Sequence, residues 1–148
     1  METFLLLMNG IGTALIPLNL ALLIFGCLIG LFVGAMPGLG SVNGVAILIP
    51  ITFIVPPTAA IIFLAAVYYG AMYGGAISSI MLGIPGASTA VATVFDGRPL
   101  AQKGEAITGL TAAAVGSFVG GTVSVILFTL FAPPLAKVAL AFNAPETF

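Results

Sequence analysis

GCLIGLFVGAMPGLGSVNG, residues 26–44, decides how the rest of the chain is read. Gly26, Gly30, Gly34 and Gly38 recur every fourth residue among leucine, isoleucine, phenylalanine and valine, and then Pro37 and a run of small polar residues interrupt the pattern. Glycine and proline are the poorest helix formers, so their regular use in so apolar a stretch needs a reason. Where lipid tails surround a helix, hiding leucine from them gains little, and helices associate through close packing that small residues permit. A spacing of four slightly exceeds one turn, so the glycines form a flat ridge that drifts slowly around the helix.

The composition agrees that the surroundings are lipid. Hydrophobic residues make up 61% of the 148 and charged residues 5%, against roughly 25% charged in soluble domains; the mean hydropathy is +1.31. Three Lys+Arg rule out a nucleic-acid-binding patch. Without histidine and with Cys27 as the single cysteine, no zinc site of the usual ligands and no intrachain disulfide can be assembled. Cys27 reads as a small buried hydrophobe. METFLLLMNG at the start has no basic region or small-residue cleavage site and is not read as a signal peptide.

About 20 mostly apolar residues are needed to span a bilayer as a helix. Three stretches meet this: about 16–36, 58–82 and 107–131. Small-residue ridges recur in the second (Gly70, Gly74, Ser78) and the third (Ala112, Gly116, Gly120). The expected fold is all-α: a polytopic helical membrane protein with glycine-packed spans, forming a single transmembrane domain over 1–148. Two shorter apolar pieces, about 44–55 (containing Pro50) and 87–95, are expected as half-helices or re-entrant segments. Residues 96–105, DGRPLAQKGE, read as the one strongly polar loop, and the tail from 132 as an interfacial helix opened by Pro133-Pro134 with Lys137 snorkelling. Arg98 and Lys103 against Lys137 lean towards a cytoplasmic 96–105 loop.

Two helices end in the same event, M-P-G-L-G-S at 36–41 and I-P-G-A-S-T at 84–89. Irregular backbone at membrane depth is tolerated only when buried in protein or lining a wet cavity. Ser41, Asn43, Ser88 and Thr89 suit capping of the helices that restart. The free N–H groups of a restarting helix suit an anion, and the carbonyls ending the preceding helix suit a cation such as Na+. Paired broken helices point to a transporter's substrate site, here Pro37, Gly38, Gly40, Ser41, Asn43, Pro85, Gly86, Ser88 and Thr89. Plain loops joining short spans at the membrane surface are the competing reading. Tyr68, Tyr69 and Tyr73, with Ser78, are candidates for a polar cavity lining, or for hydroxyls bonded to a neighbouring helix. Asp96 reads as part of a solvated D-G-R-P turn, with a coupling or gating carboxylate as the alternative. GLGSVNG lacks the G-x-G-x-x-G spacing and follows a bilayer-length run, which excludes a dinucleotide site. No nucleophile–base pair supports an intramembrane enzyme.

PGLGSVNGVAILIPITF, YYGAMYGGAISSIMLGIPG, DGRPLAQKGEA and FAPPLAKVALAFNAPETF, in this order and spacing, resemble the large membrane subunit of the tripartite tricarboxylate transporters, the TctA family. The resemblance covers essentially the whole chain, as the amino-terminal third of a longer protein with two related halves, so the chain reads as a fragment or truncated product. It implies a secondary transporter of the bacterial inner membrane, without cofactor, taking up citrate or another carboxylate with Na+ or H+ coupling. It also implies two partners, a periplasmic solute-binding protein and a small membrane subunit. A passive channel, or a structural membrane subunit without its own site, is the alternative.

Overall fold

A computed structural model describes residues 2–141. Six α-helices follow one another: α1 Glu2–Ala14, α2 Pro17–Ala35, α3 Gly40–Leu48, α4 Pro57–Leu82, α5 Val91–Gln102 and α6 Ala106–Ala141. Short 3-10 segments, Ile49–Ile54 and Ser88–Ala90, continue α3 and precede α5. Among the described residues there is no strand. Three helical stretches are long and apolar enough to cross a membrane: Pro17–Ala35, Pro57–Leu82 and Ala106–Ala132. The protein is an all-α helical membrane protein.

The chain divides into a unit ending at Ala113 and a second beginning at Ala114. The first is organised by α2 and α4, and its glycines explain how. A Cβ on Gly26 would meet the Phe63 carbonyl oxygen at 2.7 Å; on Gly30 it would strike the Val67 carbonyl, and on Gly34 the Ala71 carbonyl. From the other side, Gly70 is seated on the Cys27 carbonyl and Gly74 on that of Leu31. The two ridges interlock backbone against backbone, which only glycine permits. Residue numbers rise together along the contact, so α2 and α4 run parallel. Both start with proline at the first helical position, Pro17 and Pro57, where a missing N–H costs nothing.

Parallel neighbours require the chain between them to return the full length of the contact. Residues 40–54 do this: Gly44 packs on the Val33 side chain of α2, and α3 lies along α4. At 1.5 Å per α-helical and about 2.0 Å per 3-10 residue, the segment covers roughly 25 Å, close to the length of α2. It is therefore longer than the expected half-helix over 44–55 and starts earlier. The switch to 3-10 geometry occurs at Pro50, which has no N–H to give the carbonyl four residues back; Thr52 Oγ1 donates to the Ile49 carbonyl oxygen at 2.6 Å.

Three further expectations are corrected. The 96–105 loop is helical to Gln102, with Pro99 inside α5. Tertiary contacts override the turn-like DGRP: Gly97 rests on Ile80, and an Arg98 guanidinium N–H donates to the Met81 carbonyl oxygen at the end of α4. The polar stretch turns only at Gly104 (φ +85°), where Gly104 N–H donates to Ala101 O (3.0 Å) and Glu105 N–H to Leu100 O (2.9 Å), a Schellman closure. The piece expected at 87–95 is instead the 3-10 turn plus α5. Finally, α6 continues through Pro133-Pro134 to Ala141, so the prolines open no separate interfacial helix; proline's fixed φ is itself helical. The snorkelling expected of Lys137 lies outside the described side chains. Among the described residues nothing lies within 4 Å of a Cβ placed on Gly116 or Gly120.

At the N-terminus α1 turns into α2 through Asn19, which is buried and donates to the Thr13 carbonyl oxygen at 2.7 Å. Cys27 is half-buried rather than buried, because its backbone, not its thiol, faces Gly70.

Candidate functional site

α2 ends at Met36, whose N–H bonds the Val33 carbonyl oxygen, and Pro37 blocks continuation. The chain turns through Gly38 (φ +92°) and Gly40 (φ +68°), a left-handed backbone that side chains strongly disfavour, and re-enters helix as α3. Gly38 thus belongs to the turn and not to the packing ridge, which ends at Gly34.

The second break is a hairpin. α4 closes at Gly83 in the left-handed region, and the chain then doubles back along the helix it has left. Gly86 is wedged between the Gly34 carbonyl, Ser78 and Gly75; Ala87 lies over Gly75; and Thr89 Oγ1 reaches Met72 Sδ at 3.6 Å. From there α5 climbs again. Ser79 Oγ contacts the carbonyl oxygens of Gly75 (2.7 Å) and Ala90 (3.0 Å), and Arg98 meets Met81. Measured on α4, the hairpin descends from Leu82 to Met72, about 15 Å at 1.5 Å per residue.

The tip meets the first break there. A Cβ on Gly40 would lie 3.9 Å from the Gly86 carbonyl oxygen, and Ser41 Oγ donates to Met72 Sδ at 3.4 Å. α4 is about 39 Å long and Met72 stands about 22 Å from its start. Both interruptions therefore meet at one level of α4, beside Met72.

Between them is a cleft of about 390 Å³ lined by residues 38–43 and 85–88. Of the residues expected from the sequence, Gly38, Gly40, Ser41, Asn43, Pro85, Gly86 and Ser88 line it; Pro37 and Thr89 flank it. The lining carries no charged side chain. Three helix ends converge on it: α3 and the 3-10 turn leading into α5 begin here and run away, whereas α2 terminates here. The capping expected of Ser41, Asn43, Ser88 and Thr89 does not occur. The N-cap positions fall on Leu39 and Ala87, neither with a side-chain cap bond, because the restarts come one to two residues earlier than the polar side chains.

The remaining sequence candidates lie elsewhere. Tyr68 and Tyr69 are exposed on the outer face of α4, edge to face at 6.1 Å between ring centroids. Tyr73 donates from its hydroxyl to the Leu110 carbonyl oxygen at 3.3 Å, tying α4 to the start of α6. Ser78 is buried beneath Gly86, its hydroxyl bonded to the Gly75 carbonyl oxygen at 3.0 Å. Asp96 is exposed on α5. Met72 was not singled out from the sequence, and Arg98 only for orientation and its turn: a methionine in an apolar span and an arginine in a polar stretch carry no pattern that announces these contacts.

Comparison with known proteins bears on the same residues. The model of the tripartite tricarboxylate transporter TctA family matches residues 20–148. An Agrobacterium vitis protein described as "Uncharacterized 52.8 kDa protein in TAR-I ttuC' 3'region" is 45% identical over 139 residues, covering 94% of this chain and 28% of the relative. The chain thus spans less than a third of that relative's length. No solved structure matches. Both Pro-Gly breaks, the cleft they form and the interlocked pair that supports it fall inside the matched region, and the chain belongs to the tripartite tricarboxylate transporter TctA family.

Proposed function

We propose that these residues form part of the substrate site of a secondary transporter that takes up citrate or a related carboxylate across the bacterial inner membrane. The observation that carries this reading is the uncharged cleft between the two breaks, where two helix starts and one helix end converge. Helix N-termini with unpaired N–H groups favour an anion. Ser41, Asn43 and Ser88 supply hydroxyl and amide donors beside them, and Gly38, Gly40 and Gly86 let a ligand approach the backbone. The carbonyl end of α2 suits a coupling cation, Na+, held by oxygen atoms; H+ coupling is the alternative. Among the described residues no group of three or more His, Cys, Asp or Glu gathers, so a cation would rely on backbone and hydroxyl oxygens. Full neutralisation of a tricarboxylate calls for charge from beyond these residues. A periplasmic solute-binding protein delivering substrate and a small membrane subunit complete the proposed assembly.

The test is uptake by the full-length transporter with its binding protein, comparing Ser41→Ala, Asn43→Ala and Ser88→Ala with the unsubstituted protein. A hydrogen bond to a charged group is worth about 1.5–3 kcal/mol, so each loss should raise KM by roughly tenfold or more. Unchanged uptake by all three would dismiss the site. Flux that ignores both sodium and proton gradients would favour a passive pore.

A further inference from the structure

We infer that Met72 is a positioning residue for the cleft, its thioether holding one hydroxyl from each break in readiness for substrate; this rests on the transport reading above. Ser41 from the first break and Thr89 from the second converge on the same atom, Met72 Sδ, at 3.4 and 3.6 Å. Two segments 48 residues apart in sequence are thereby registered on one side chain of α4. The choice of acceptor matters. Ser78 and Ser79, about two turns further along α4, give their hydroxyls to backbone carbonyl oxygens at 3.0 Å or less. Those are strong acceptors, so both hydroxyls are committed to structure.

A thioether sulfur is a weak acceptor. A hydroxyl resting on it is oriented, yet it exchanges that bond at little cost for one to a carboxylate oxygen, which is about twice as strong as a neutral pair. Met72 thus keeps two donors out of reach of backbone carbonyls and releases them to an anion. Ser41 is 6% exposed, so without the sulfur its hydroxyl would turn to whatever oxygen it could find.

The experiment is transport kinetics of the full-length transporter in proteoliposomes with its binding protein, using citrate, malate and succinate as probes. Met72→Leu, which fills the space without accepting a hydrogen bond, should raise KM about five- to tenfold with kcat changed less than twofold. Met72→Gln, whose amide oxygen holds the hydroxyls too firmly, should also raise KM, and carries the test alone if the leucine variant does not assemble. In a Ser41→Ala/Thr89→Ala background neither substitution should change KM further, because interacting sites are non-additive. Effects of Met72 that multiply with the double variant, or KM values within twofold of wild type, would overturn the assignment while leaving the transport reading standing. An unchanged KM for Ser41→Ala/Thr89→Ala would likewise overturn the assignment alone, and no uptake of any probe would overturn both.

Discussion

Replacing Gly86 by alanine tests the meeting of the two breaks most directly. A Cβ at this position would collide with the Gly34 carbonyl oxygen and lie 2.6 Å from Ser78 Oγ and 2.8 Å from Gly75 Cα. The serine hydroxyl can rotate away at the expense of its bond to the Gly75 carbonyl oxygen, but the other two obstacles are main chain of α2 and α4 and cannot yield separately. Ordinary carbon contacts are about 3.5–4.0 Å, so the hairpin tip must retreat by roughly 1 Å. Overpacking of this kind costs about 1–3 kcal/mol, and the upper figure applies where backbone meets backbone. About 3 kcal/mol corresponds to roughly a hundredfold shift in population. The least expensive relief is for the tip to leave its seat, since α2 and α4 hold each other through other glycines. Hydrogen exchange of the amides in 86–90 should therefore accelerate by about two orders of magnitude, with the centre of α4 unchanged, and uptake should fall at least tenfold. Gly12→Ala, where a Cβ meets nothing within 4 Å, is the control. Exchange in 86–90 equal to that of the control would refute the seating of the hairpin between α2 and α4.

The parallel α2–α4 contact predicts that Gly30→Ala destabilises the first unit by about 2 kcal/mol net, overpacking of about 3 kcal/mol offset by nearly 1 kcal/mol of helix propensity. Gly12→Ala should be neutral to stabilising; equal behaviour of the two in denaturant titration of detergent-solubilised protein would contradict the interlock. Because the Ser41 and Thr89 hydroxyls share one sulfur within 3.6 Å each, they lie no more than about 7 Å apart. In a Cys27→Ala background, Ser41→Cys/Thr89→Cys should be joined in high yield by a short bis-thiosulfonate reagent, read by mass spectrometry of peptides. Failure of the reagent to link them, with each cysteine singly reactive, would place the breaks apart.

Much of this protein was legible in its residues because the constraints involved are local. Apolar runs of bilayer length can only be helices in lipid, so all three long spans were readable. Pro37 after Met36 ends regular helix by removing a donor and clashing with the preceding turn, and Pro85, just past the left-handed Gly83 that closes α4, keeps it from resuming, so both breaks and most of the cleft lining could be named from spacing alone. The glycine period announced close packing on α2 and α4. Local rules failed where distant partners decide. DGRP looks like a turn, yet it is helical because Ile80 and the Met81 carbonyl receive it. Hydroxyls that looked like caps turn to a sulfur instead, and two of the three tyrosines face outward.

What no local pattern contained is the direction of the contact. A glycine ridge is the same read from either end and marks a face, not whether its neighbour is parallel. The reciprocal seating of Gly30 on Val67 and Gly74 on Leu31 makes α2 and α4 parallel. That forces residues 40–54 back along them and leaves a hollow at the end of α2, into which the hairpin dips. The sequence by itself placed two interruptions in apolar helices; tertiary packing put them at one depth, because interlocked backbones allow only one register.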